Sequence, residues 1–212
     1  MDGDEFRETV ETAKGTQLNR LGSSQLLVAL TDATLERAAV LEVAAQSEYA
    51  ARETFRAWAD GETDEGAREA FETVAGQEDR HFGLVLDELA DGESFEPDDE
   101  PGPMHAYLRG REDAVERIAG GMVGRPLVSL RTHTQIISFF VNEADEARAD
   151  VFRELKTDTA GVLSDGLALL EERGDGEDWE RARMVAEYTV QVAYDDYADA
   201  LTGMGIDPKM IC

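Results

Sequence analysis

The residues best suited to chemistry are a glutamate and a histidine spaced three apart, Glu78 and His81, and an earlier glutamate, Glu48. All three lie within apolar helical patterns, where a charged side chain is costly to bury without a partner. Residues three apart share one face of a helix, so Glu78 and His81 can grip the same ion. The pattern therefore indicates a buried metal site.

Composition favours a single all-α domain. The 212 residues are rich in helix formers and contain only five prolines. The net charge of -27 argues against nucleic acid or an anionic membrane surface as partner, because phosphates would be repelled. Lysine occurs only at Lys14, Lys156 and Lys209, and such an acidic, lysine-poor surface indicates halophilic adaptation to a salt-rich cytoplasm.

Hydrophobic periodicity predicts four long helices: about 31–60, 63–92, from 128 to a break near 157–161, and 177–202. The segment 93–103 holds three prolines and an acidic run, which predicts a long crossover over about 93–127, broken at Gly120-Gly121 and at Gly124-Arg125-Pro126. We therefore predict a four-helix bundle over 23–205 with short extra helices, including one over 162–173. Residues 1–22 would form an arm outside it, and 206–212 a tail.

The heights of the acidic residues in this bundle can be compared from the sequence. Glu48 lies about 14 residues, roughly 21 Å, before a turn near residue 62, and Glu78 lies about 16 residues, roughly 24 Å, after it. Similar counts place Glu143 and Glu187 near the same height on the predicted third and fourth helices. Four inward carboxylates at one level would repel one another strongly unless cations lay between them.

The stretches SEYAARETFRAWA (47–59) and FETVAGQEDRHF (71–82) resemble the first two helices of rubrerythrins, within the ferritin-like superfamily of di-iron carboxylate proteins. The resemblance implies a ferritin-like four-helix bundle. In it Glu48 would be a terminal ligand, Glu78 a bridging ligand and His81 the imidazole ligand. The Glu-x-x-Glu motif of the third rubrerythrin helix is matched by Glu143 and Glu146. Residues 31–92 carry the resemblance best, and 128–155 less closely.

The fourth helix departs from the rubrerythrin pattern, because Glu187 is followed by Val190 where a second Glu-x-x-His would place histidine. A shifted register would instead use Gln191 with Tyr194. The second metal would then have no histidine and would bind weakly or not at all. The two remaining histidines are not predicted to bind metal: His133 is predicted to be structural or exposed, and His105 to lie on the surface of the crossover.

Carboxylate and imidazole ligands suit iron or manganese, and we expect two ions per chain, or one if the second position fails. The resemblance implies peroxide reduction or oxidation of ferrous iron, in oxidative-stress defence or iron handling. A ferritin-like storage subunit is a further interpretation. The alternative from another class is a bundle with a degenerate metal site that serves as a binding or regulatory module.

The expected partners follow from what the sequence lacks. The single cysteine, Cys212, cannot build the rubredoxin-like module of full rubrerythrins, so an electron donor would be a separate protein. The acidic N-terminus shows no signal peptide, and no apolar run approaches the roughly 20 residues of a membrane span. We therefore expect a cytoplasmic protein with no membrane partner, and a homo-oligomer, with a dimer favoured.

Overall fold

The computed structural model describes residues 1–89, 95–173 and 176–209, and this part of the chain is helical throughout its regular structure. The all-α prediction is confirmed. Among the described residues, no helix combines the length and apolar character that a bilayer span requires. The elements are α1 Gly3–Ala13, α2 Gly15–Leu21, α3 Gln25–Leu30, α4 Arg37–Gly61, α5 Glu65–Asp87, α6 Pro103–Arg109, α7 Ala114–Arg117, a π-helix Ile118–Gly124, α8 Arg125–Asn142, α9 Glu146–Arg173 and α10 Gly176–Gly203.

Helices α4 and α5 form the first long packed pair, as the turn predicted near residue 62 requires. The Asp64 side chain caps α5 by accepting a hydrogen bond from the Ala67 amide at 2.7 Å, which satisfies one of the free amides of the first turn. The predicted start of α4 near residue 31 is wrong, because Asp32 and Ala33 have positive φ angles that a right-handed helix does not admit. The predicted end of the second helix, at 91–92, lies outside the described residues.

The stretch predicted to break at glycines instead continues as helix. Helix α7 passes into the π-helix and then into α8 without interruption. Gly121 allows this segment to approach α4 closely, because a Cβ atom there would lie 2.5 Å from Cζ3 of Trp58. The glycines thus serve close packing here, and the predicted breaks at Gly120-Gly121 and Gly124-Arg125-Pro126 are wrong.

Helices α8 and α9 form the second long packed pair, and the turn between them falls earlier than predicted. The chain reverses at 143–145, where Ala144 has a φ of 57°. No break occurs near 157–161, since α9 is continuous there. The hydroxyls of Thr157 and Thr159 donate to carbonyls one turn earlier, which lets both residues stay in a helix. Helix α9 is therefore the hairpin partner of α8.

Helix α10 matches the helix predicted over 177–202 but occupies a different place. It packs against the π-helix and the short helices α2, α3 and α6 rather than pairing with α8. Helix α1 also packs on α9 and α10, with Phe6 and Val10 fully buried. This contact differs from the expectation of an arm outside the bundle, because the apolar face of α1 finds a surface to cover.

A layer of buried polar side chains, among them Glu48, Glu78, His81 and His133, separates two buried apolar clusters. We call it the polar layer. The larger cluster lies on the side of the α4–α5 turn, and the smaller one lies toward the α8–α9 turn. Each of the four helices in the two long pairs passes from one cluster to the other within a few turns. The crossing falls between Ala45 and Phe55 on α4, Ala75 and Val85 on α5, Val128 and Ile136 on α8, and Leu155 and Val162 on α9.

Candidate metal centre

Glu48, Glu78 and His81 meet in the polar layer between the two apolar clusters. Their side chains are buried, with residue exposures of 4%, 1% and 0%. Each offers one ligand atom, and these atoms all lie within 4.8 Å of one another. The predicted meeting of these three residues across the α4–α5 pair is confirmed.

The distances within the cluster suit one cation. His81 Nδ1 lies 3.6 Å from Glu48 Oε2 and 3.8 Å from Glu78 Oε2. Atoms bound to one ion at about 2.1 Å in tetrahedral arrangement lie roughly 3.4 Å apart. Glu78 Oε2 and His81 Nδ1 are buried without a hydrogen-bond partner, although most buried polar atoms have one. The three residues therefore fit a metal ion.

Asp158 of α9 holds the other side of the His81 ring. His81 Nε2 lies 3.2 Å from Asp158 Oδ2, and because a carboxylate only accepts, Nε2 carries the hydrogen. That contact turns Nδ1 toward the two glutamates. A carboxylate behind the imidazole is the usual support of a metal-bound histidine. The same oxygen, Asp158 Oδ2, is also paired with Arg80.

The remaining oxygens of the two glutamates contact basic side chains from α8. Arg125 donates through Nη2 to Glu78 Oε1 at 2.6 Å, and His133 Nε2 lies 3.2 Å from Glu48 Oε1. Both basic residues are buried. The prediction that His133 is structural or exposed missed this contact with the cluster. Arg125 and Asp158 were also missed, since both fell in segments predicted as breaks; an arginine among apolar residues was the available signal.

The pKa values of the cluster reflect burial and close charges. Burial alone would raise the pKa of Glu48, but contacts with His133 and His81 hold it well below its usual value. For Glu78, burial and the neighbouring Glu48 carboxylate raise the pKa, although Arg125 opposes the change. Burial would lower the pKa of His81, yet the two glutamates raise it to about 10. With no metal bound, the imidazole is therefore a cation at neutral pH.

The other predicted ligands lie outside this cluster. Glu143 and Glu146 are exposed at the α8–α9 turn, and Glu146 pairs with Arg153 at 3.0 Å. Because Glu143 is about 10 residues from His133, it lies roughly 15 Å away, just past the end of α8. On α10, Glu187 accepts from Arg183 at 2.8 Å, and Gln191 accepts from Lys14 at 2.9 Å. The early turn between α8 and α9, and the packing of α10 against the π-helix and the short helices, explain these positions.

His105 is buried, so its predicted surface position is wrong. Its Nδ1 lies 3.0 Å from the Thr54 hydroxyl, which also accepts a hydrogen bond from Arg109 at 3.1 Å. Burial, together with the charges of Arg125 and Arg109, lowers the pKa of His105 to about 3. The residue is therefore neutral, and it does not join the three-residue cluster.

No family model matches the sequence, and neither the curated proteins nor the solved structures contain a match to it. What is shown is an all-α protein with a buried Glu-Glu-His cluster that can hold a metal ion.

Proposed function

We propose that the protein binds iron or manganese at Glu48, Glu78 and His81 and uses the ion in redox chemistry. The observation that carries this proposal is the pair of buried atoms without hydrogen bonds, Glu78 Oε2 and His81 Nδ1. They lie 3.8 Å apart, with Asp158 holding the imidazole from behind. Two carboxylate oxygens and an imidazole nitrogen suit iron and manganese far better than copper(I).

The chain's own residues would bind, orient and isolate the ion. Glu48 and Glu78 supply negative charge, and Asp158 keeps His81 aimed at them. His81 must release the Nδ1 proton to bind. The apolar clusters on both sides exclude water, which strengthens every electrostatic contact in the layer. When bound, a redox-active ion supplies one-electron chemistry and stabilises negative charge on a substrate.

The reaction we propose is the reduction of peroxide, or the oxidation of ferrous iron by peroxide or dioxygen, as the resemblance to rubrerythrins implies. Reduction of one hydrogen peroxide molecule to two water molecules consumes two electrons and two protons. A chain with a single cysteine cannot carry its own thiolate iron site. A separate electron-donor protein would therefore have to supply electrons between turnovers.

A second candidate function is a binding or regulatory module that holds no metal. The specific observation in its favour is that Arg125 and His81, two side chains that can carry positive charge, lie beside the two glutamates. Charge balance of this kind lets the fold persist without an ion. Under this alternative, the cluster would position helices rather than react.

Metal loading distinguishes the two functions. We expect protein loaded anaerobically with Fe²⁺ or Mn²⁺ to retain metal after gel filtration, and His81→Gln to lose it while keeping its circular dichroism spectrum. Glu146→Gln is the matched control, because Glu146 is an exposed carboxylate predicted to bind but placed away from the cluster. Retention by His81→Gln, or no metal in the native chain, would contradict the proposal. Absorbance changes of the iron-loaded protein on peroxide addition then test the reaction.

A further inference from the structure

The two glutamates of the cluster each divide their oxygens between two faces. Both Oε2 atoms face His81, at 3.6 and 3.8 Å. Both Oε1 atoms face α8, where Arg125 contacts Glu78 at 2.6 Å and His133 contacts Glu48 at 3.2 Å. A carboxylate pair can bridge two cations through its two sets of oxygens. Here one set faces a candidate metal position and the other already faces a guanidinium.

Arg125 is held firmly in that second position. The residue is 3% exposed, its Nε donates to the Gly121 carbonyl at 3.3 Å, and its guanidinium carbon lies 5.3 Å from the centre of the Phe55 ring. It follows directly on the π-helix Ile118–Gly124, a type of segment that is rare and concentrated at functional sites. An arginine stays charged at any physiological pH, so this cation is permanent.

We propose that Arg125 takes the place of a second metal ion, so that the glutamate pair accepts one ion only. The inference rests on the proposed function, because it concerns the same glutamates. One guanidinium leaves a single negative charge on the pair, which one divalent ion more than balances. A second ion at the Oε1 face would meet the guanidinium at contact distance and be repelled. Arg125 thus determines the metal stoichiometry of the site.

The residue that would complete a second site is His133. Its Nε2 lies 3.2 Å from Glu48 Oε1, and among the described residues no other imidazole forms a hydrogen bond with that oxygen. With Arg125 removed, Glu78 Oε1 loses its partner, and one bound divalent ion leaves the glutamate pair neutral rather than positive, so the guanidinium no longer repels a second ion. Among the described residues only Glu48, Glu78 and His81 converge within 4.8 Å of one another, so His133 would have to move toward Glu78 Oε1 to complete a second donor set of two oxygens and one nitrogen.

The stoichiometry of Mn²⁺ binding tests this role. We expect equilibrium dialysis to give one Mn²⁺ per chain for the native protein and for Arg125→Lys, which keeps the positive charge. Arg125→Ala is expected to bind two Mn²⁺ ions per chain. Spin coupling between these neighbouring ions would weaken the Mn²⁺ electron paramagnetic resonance signal. The second ion should be lost again in Arg125→Ala/His133→Ala. If the alanine variant unfolds, Arg125→Gln keeps a donor to Glu78 without the charge and should also bind two.

Each outcome decides between the two proposals separately. Two ions in the native protein, or one in folded Arg125→Ala and Arg125→Gln, would overturn the role of Arg125 and leave the metal site standing. No ion in the native protein but one in the neutral variants would support Arg125 as a substitute cation and overturn the proposed function. Absence of metal from all variants would overturn both.

Discussion

The α4–α5 pair and helix α8 contribute side chains of opposite character to one polar layer. The first pair supplies the two glutamates and His81, whereas α8 supplies Arg125 and His133. Helix α9 adds only Asp158, at the more exposed edge of the layer. In a symmetric di-metal bundle both halves would supply carboxylates. The difference teaches that one half offers ligands and the other half balances their charge.

Removing one acid should have the largest effect, because it leaves the α8 cation buried without a partner. We expect Glu78→Ala to abolish metal binding and to lower the free energy of unfolding by about 3–5 kcal/mol, the usual cost of breaking a buried ion pair. Urea denaturation of the metal-free protein measures the loss. Glu143→Ala, on an exposed residue, should change stability by less than about 0.5 kcal/mol.

A double-mutant cycle sharpens this first prediction. If the two helical pairs balance each other, Glu78→Ala/Arg125→Ala should recover part of the stability lost by Glu78→Ala alone. Equal losses in the single and double variants would show that the two halves of the layer do not compensate each other.

The second largest expected effect is the dependence of metal affinity on pH. Because His81 has a pKa of about 10 in the metal-free protein, an ion must displace its proton, and the apparent affinity should rise about tenfold per pH unit below that value. Mn²⁺ titrations between about pH 6.5 and 8.5 measure the slope. An affinity independent of pH would mean that His81 is not a ligand.

The raised pKa of His81 predicts the opposite trend for the stability of the metal-free protein, which should fall as the pH rises. A histidine with a folded pKa above its unfolded value of about 6.5 stabilises the fold fully below that pH, and the stabilisation is lost as the pH rises through about 10. Thermal melts over this range should therefore show falling stability, and His81→Gln should remove that dependence.

Weakening the support of the imidazole should cost less than removing a ligand. We expect Asp158→Asn to lower metal affinity about 10- to 100-fold, as loss of a partner behind a metal-bound histidine commonly does. Arg80→Gln is the control, because Arg80 contacts Asp158 but not His81. An unchanged affinity in Asp158→Asn would show that α9 takes no part in the site.

The smallest effect concerns the continuity of α9. A Cβ atom at Gly161 would meet nothing within 4 Å, so Gly161→Ala should stabilise the protein by about 0.5–1 kcal/mol. Gly121→Ala is the matched contrast, since its Cβ would lie 2.5 Å from Trp58, and overpacking of this kind costs about 1–3 kcal/mol. Destabilisation by Gly161→Ala would restore the predicted break near 157–161.

The local sequence was sufficient for the α4–α5 pair. Apolar spacing and the turn near residue 62 predict both helices, and counting residues from that turn places Glu48 and Glu78 at one height. This works because two helices joined by a short turn must lie antiparallel, so height follows from rise per residue. The spacing of Glu78 and His81 needs no tertiary information either, since it lies within one helical turn.

The α8 side depended on tertiary structure. The sequence pattern predicted the turn of the second pair too late in the chain and predicted breaks at the glycines of 120–124. Arg125 and Asp158 lay in segments predicted as breaks, so neither was predicted to be part of the site. The same pattern predicted Glu143, Glu146 and Glu187 at the height of Glu48 and Glu78. The early turn between α8 and α9 and the packing of α10 against the π-helix and the short helices place them elsewhere. Glycine and threonine are ambiguous locally, because each is compatible with a turn or with a closely packed helix.

By itself, the sequence determined the helical class of this protein and the first half of its buried cluster, because periodicity and spacing within one hairpin are local properties. Only the tertiary structure decided which helix faces those acids. The partners of Glu48 and Glu78 are set by the packing of α8 against α4 and α5, where a buried negative charge must find its counterpart among residues distant in the chain.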